Sequence, residues 1–182
     1  MVMGIFALLS TAVYGNYRSY NTNVSLENLS HQIALLIRQA QVYGISVTQQ
    51  NQKGFGAYFS SGLNDNKSFP LFDDINGNKT YDSSNNESLE EITIRSGDFI
   101  AELCINPSTP TGTCPSGQLL SNLHIIFIRP NPEAVFQGVY FTSGNPTGSE
   151  VASAKIVIQS PNGSKRKIVV WNTGQIAVEK QQ

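Results

Sequence analysis

The residues best suited to chemistry lie in Phe72-Asp73-Asp74-Ile75-Asn76-Gly77-Asn78-Lys79-Thr80-Tyr81-Asp82, where Asp74, Asn76, Asn78, Thr80 and Asp82 set oxygen side chains at alternate positions. Hard cations such as calcium prefer oxygen-rich turns of this kind. The match to a twelve-residue calcium loop is partial. Lys79 stands at the sixth place, which calls for glycine, and Asn85 at the twelfth, which calls for a bidentate glutamate. Glu87 offers a carboxylate after a longer excursion. The same residues also suit an Asx-rich turn with solvated carboxylates, because Asp and Asn side chains accept hydrogen bonds from amides two residues on. Both readings stay open at this level. The expectation is that no cofactor is required, with calcium the ion this loop could take.

Other reactive types are sparse. Cys104 and Cys114 flank INPSTPTGT, a Pro- and Thr-rich turn that reads as a small disulfide-closed loop and suits an oxidising compartment. Two thiolates do not complete a closed zinc site. Lys165-Arg166-Lys167 is a run of positive charge that could touch phosphates. Without interleaved aromatic residues its footprint on a nucleic acid would be small, and on an edge strand the same run discourages aggregation. His31, His124 and the pair Glu90-Glu91 stand outside any recognised catalytic pattern: the chain has no Gly-x-Ser-x-Gly, His-Glu-x-x-His or phosphate-binding glycine-rich loop. The expectation is that this is not an enzyme.

These groups need elements to hold them. Met1 to Val13 is uncharged and apolar, shorter than the roughly twenty residues of a membrane-spanning helix. A polar bridge, YGNYRSYNTN, follows. Leu26, Leu29, Ile33, Leu36, Ala40, Tyr43 and Val47 then recur in steps of three and four, which predicts a helix with one face on a core. Ser25 could cap that helix, or the helix could run on from the apolar segment. Short β-rich runs follow at Phe55–Phe59, Glu91–Ile94, Phe99–Ile105, Leu123–Ile128, Val135–Phe141, Ala154–Ile158, Lys167–Val170 and Gln175–Val178. Asn162-Gly163 predicts a hairpin and Thr173-Gly174 a further turn. The predicted organisation is a stalk segment over residues 1–24, an amphipathic helix over 25–50 and one β-rich head over 51–182. The fold class is α+β: a long amino-terminal helix, hydrophobic and then amphipathic, packed on an antiparallel sheet. Charged residues make up 14% of the chain and the net charge is −1, which argues against whole-domain attraction to nucleic acid or anionic lipid.

The MGIFALL segment, the aromatic-bearing polar bridge, the helix NLSHQIALLIRQAQVYGISV and the closing segment AKIVIQSPNGSKRKIVVWNTGQIAVEK together resemble type IV pilin-like subunits, specifically the GspH/FimT group of minor pseudopilins. The resemblance implies a minor pilin or pseudopilin of a type IV pilus or type II secretion pseudopilus. Its partners would be other pilin subunits and the inner-membrane assembly platform, and it would be a single-pass protein of the bacterial cytoplasmic membrane with its head outside. It also implies a prepilin-peptidase leader, a glutamate and about ten further helix residues upstream of Met1. Ala12 stands where many pilins carry a helix-kinking proline. Some relatives in this group bind DNA through basic residues near the carboxyl terminus, which would assign Lys165, Arg166 and Lys167 to DNA uptake. A soluble calcium-dependent adhesin is the third expectation, resting on the Asp74 loop.

Overall fold

A computed structural model describes residues 2–46, 53–63, 65–105, 114, 119–140 and 151–180, with helix side chains from Tyr20 onward. Val2–Ser46 form one continuous helix, α1. The predicted stripe is buried: Leu26, Leu29, Ile33, Leu36 and Ala40 are at most 5% exposed, and Tyr43 packs partly buried on the same core. Ile37 is buried as well, because a helix lying across two sheets needs a broader apolar arc than a narrow seam. Val47 lies outside the described residues. Ser25 does not cap; it sits within the helix, and its hydroxyl donates to Asp98 Oδ2 at 3.2 Å. Gly44 allows close approach to the sheet, since a Cβ there would lie 2.7 Å from both Cβ and the carbonyl oxygen of Phe127.

The strands are β1 (Phe55–Ser60), β2 (Ser68–Asp73), β3 (Ser88–Thr93), β4 (Phe99–Ile105), β5 (Leu120–Phe127), β6 (Ala134–Tyr140), β7 (Ser153–Gln159), β8 (Lys165–Trp171) and β9 (Ile176–Lys180). They form two antiparallel sheets, ordered β3-β2-β1-β5-β6 and β4-β7-β8-β9. A bridge from Cys104 to Leu119 links β4 to the entry of β5. Side chains alternate across each strand, so Ala57, Phe59, Leu123 and Ile125 of the first sheet meet Leu103, Ile156, Ile158 and Ile168 of the second beneath α1. Each such Leu, Ile or Phe contributes roughly 1.5–3 kcal/mol through burial, so the common core holds helix and both sheets together. The fold is therefore α+β, one helix packed on antiparallel sheets.

The strand absent from the sequence reading is β2. Pro70 argues against a strand because it lacks an N–H for the ladder. Here β1 pairs only with Leu71 to Asp73, so Pro70 falls where β2 has a neighbour on the β3 side alone. The 160–164 hairpin forms as expected, with Gly163 at φ +86° and Ser160 N–H donating to Ser164 O at 3.0 Å. At the next turn Gly174 takes φ +83°, and an added Cβ would lie 2.3 Å from Gln41 Nε2. That amide donates to Pro132 O and Gly174 O, tying α1 to two loops. Cys104 and Cys114 are joined in a disulfide with Cα atoms 5.9 Å apart. Such a bridge stabilises mainly by restricting the unfolded chain.

Candidate functional site

The Asp74 loop begins where β2 leaves the first sheet. Asp74 is fully buried, and its two carboxylate oxygens accept the N–H groups of Gly77 at 2.7 Å and Lys79 at 3.1 Å. Asn76 Oδ1 accepts Asn78 N–H and Asn78 Oδ1 accepts Thr80 N–H, each at 2.8 Å. The side-chain oxygens of Asp74, Asn76 and Asn78, three of those predicted for a cation, are thus engaged by backbone amides in successive Asx turns. Lys53 adds its ammonium to the loop, donating to Asn76 O at 3.1 Å. Asp82 Oδ2 accepts Asn85 Nδ2 at 3.2 Å. Glu87 is fully buried; its Oε2 accepts Asp82 N–H at 2.8 Å, while Oε1 has no hydrogen-bond partner among the described residues. Burial raises the Glu87 carboxyl pKa, with the charges of Asp74 and Asp82 adding to it and the Asp82 and Asn76 amides pulling back. Among the described residues no group of three His, Cys, Asp or Glu side chains is placed to hold a metal ion.

The loop folds back over the outer face of the first sheet. Tyr58, Phe72 and His124 point away from the core that their neighbours Ala57, Phe59, Leu123 and Ile125 enter. Tyr81 lands on them: its ring centroid lies 5.3 Å from Tyr58 and 5.6 Å from Phe72, and its N–H donates to His124 Nδ1 at 2.9 Å. His124 lies tilted against Tyr58 with ring centroids 4.8 Å apart, and burial lowers its pKa to about 4. With Nδ1 accepting, the neutral ring carries its proton on Nε2. His124 is thus a buried anchor for the loop, whereas His31 is exposed on α1.

Beside these rings is a cleft of about 520 Å³, bordered by Tyr58, Asp65, Tyr81, Asp82, Glu91 and Asn122. Asn122 Oδ1 is buried without a hydrogen-bond partner among the described residues. Tyr58 OH lies 3.5 Å from Asp65 Oδ2, and burial followed by the Asp65 charge raises the phenol pKa. Sequence reading missed this cleft because its residues come from distant segments. Only the β1–β5 register sets Tyr58 beside His124 and Ser60 beside Asn122. The available signal was alternation: polar or half-polar Tyr58, Ser60, Asn122 and His124 interleave with apolar Phe59, Leu123 and Ile125.

The basic run occupies the start of β8, on the second sheet. Lys165 Nζ lies 2.6 Å from Glu102, Arg166 Nη2 3.0 Å from Glu27 on α1, and Lys167 Nζ 2.9 Å from Glu179. Strand alternation turns Arg166 toward the helix and its two neighbours to the opposite face. Lys155, fully buried on that opposite face, has its pKa lowered by burial and by Lys167, with Glu102 and Glu179 opposing. These cations are matched by carboxylates inside the fold. Residues 106–113 lie outside the described residues, so of this loop only Ile105 at the end of β4 and the bridge itself can be placed. No protein-family model, no curated protein and no solved structure matches this chain.

Proposed function

We propose that the chain is a minor pilin or pseudopilin, a structural subunit that assembles through α1 into a type IV pilus or type II secretion pseudopilus and performs no catalysis. The observation that supports this reading best is the two-sided helix. α1 buries Leu26 to Ala40 on its own head, yet its opposite side shows Leu35, Val42 and Ile45 to solvent at 67%, 53% and 42% exposure. It also continues for roughly 36 Å beyond Leu26 toward the amino terminus, at 1.5 Å per residue. Exposed apolar side chains on a helix that outruns its domain suit packing against equivalent helices. No helix among the described residues is long and apolar enough to cross a membrane. In this reading the uncharged Val2–Val13 turns are shared between neighbouring helices and the bilayer of the bacterial cytoplasmic membrane, and the head lies outside.

The test is a double substitution, Leu35→Asp with Val42→Asp, in the full-length protein. Both positions are solvent-exposed, so the melting temperature of the head should stay within about 2 °C of the parent. Recovery of the subunit in sheared filaments or cross-linked pseudopilus should fall at least tenfold. Recovery equal to the parent would overturn the proposal.

A further inference from the structure

We infer that the cleft bordered by Tyr58, Tyr81, Asn122 and His124 binds a neutral, hydroxyl-rich ligand, a saccharide unit. Its volume of about 520 Å³ falls within the range of small-molecule sites. Two polar groups in it matter most. His124 is 6% exposed and the Tyr81 amide occupies Nδ1, which leaves Nε2–H as the ring's remaining donor. Asn122 Oδ1 is a buried acceptor without a hydrogen-bond partner among the described residues. A buried acceptor left unpaired is costly, and His124 stands two residues on along the same face of β5, so a ligand that answers Oδ1 and Nε2–H together is favoured.

A hydroxyl group does so, since it donates and accepts at one atom. An ammonium or guanidinium would leave Nε2–H unanswered, because it carries no acceptor. A phosphate or other anion would face Asp65, Asp82 and Glu91, with no Lys or Arg among the described residues that border the cleft. Those carboxylates accept further hydroxyl hydrogens. Tyr58 and Tyr81, 5.3 Å apart and tilted by 35°, add aromatic surface on which the C–H face of a sugar ring can pack.

The full chain should be titrated with methyl glycosides of glucose, galactose, mannose and N-acetylglucosamine, and separately with arginine amide, by saturation-transfer NMR while the Tyr58 and Tyr81 ring resonances are followed. At least one glycoside should bind, shift both rings and keep its affinity as salt is raised. Asn122→Leu should weaken that glycoside about tenfold, the loss of one hydrogen bond. The variant should remain folded, since Oδ1 has no partner among the described residues. Glu91→Gln, at an exposed position, is the second variant and should weaken binding without altering the melting temperature. The inference fails if no glycoside binds at tens of millimolar. It fails equally if both variants bind as the parent does, or if arginine amide alone binds with an affinity that collapses in salt.

Discussion

The two sheets carry opposite kinds of polarity, and they handle it differently. On the second sheet Lys165, Arg166 and Lys167 each have a carboxylate partner within 3.0 Å. On the first, Asp65, Asp82 and Glu91 border a cleft with no ion pair among the described residues, and Asn122 Oδ1 and Glu87 Oε1 nearby are buried without hydrogen-bond partners there. A satisfied charge is structural, because its field is closed inside the molecule. An unsatisfied one remains available to a ligand. The run of basic residues that is conspicuous in the sequence is therefore the quieter region, and the dispersed acidic and aromatic residues form the one still open to binding.

The comparison can be tested most severely at Phe72, which is fully buried beneath Tyr81 and His124. Phe72→Ala should cost about 3–5 kcal/mol in denaturant unfolding, because it empties the packing under the cleft. A loss below about 1 kcal/mol would mean that the loop does not rest on this face. Acid should come next. His124 has its pKa lowered to about 4 from 6.5, so its stability is complete above pH 6.5 and is lost as pH falls from there toward 4. Unfolding at pH 5 should then be about 2 kcal/mol easier than at pH 7.5 through this group alone. Glu87 has the opposite sign: with its pKa raised, it favours the folded state most below 4.5 and loses that advantage as pH rises through its folded value. His124→Gln should flatten the loss between pH 6.5 and 5, and an unchanged slope would remove His124 from the account.

The smallest effect belongs to the basic run. Lys165→Ala, Arg166→Ala and Lys167→Ala together should cost about 1–2 kcal/mol, since the pairs are partly exposed and only Lys167 is well buried. Retention on a DNA column at physiological salt should not change. A clear loss of retention would reverse the comparison and favour the DNA-uptake reading over the structural one.

Residues that act through local periodicity are legible in the sequence. The Leu26 to Tyr43 stripe, the strand over Phe99–Ile105, the Asn162-Gly163 turn and the Cys104–Cys114 pair each depend on near neighbours, and each is found where the pattern put it. Ile37 escaped because the width of the buried arc depends on how many sheets lie under the helix. β2 escaped for a related reason: a proline is judged locally, but the one-sided pairing of Pro70 comes from segments far along the chain. Of the two readings open at Ser25, the helix running on from the apolar segment is the one that forms. The Asp74 loop is recognisably oxygen-rich, yet which oxygens its own amides take depends on a backbone path that composition does not encode.

By itself the sequence determined the helix, most of the strands, the turns and the inventory of charges, because hydrophobic spacing and turn chemistry act over a few residues. Only the tertiary structure decided which charges cancel and which remain open. That follows from sheet register, which sets Tyr58 against His124, Ser60 against Asn122 and Lys167 against Glu179 across long separations, and a shift of one residue in that register would turn every one of these side chains to the other face.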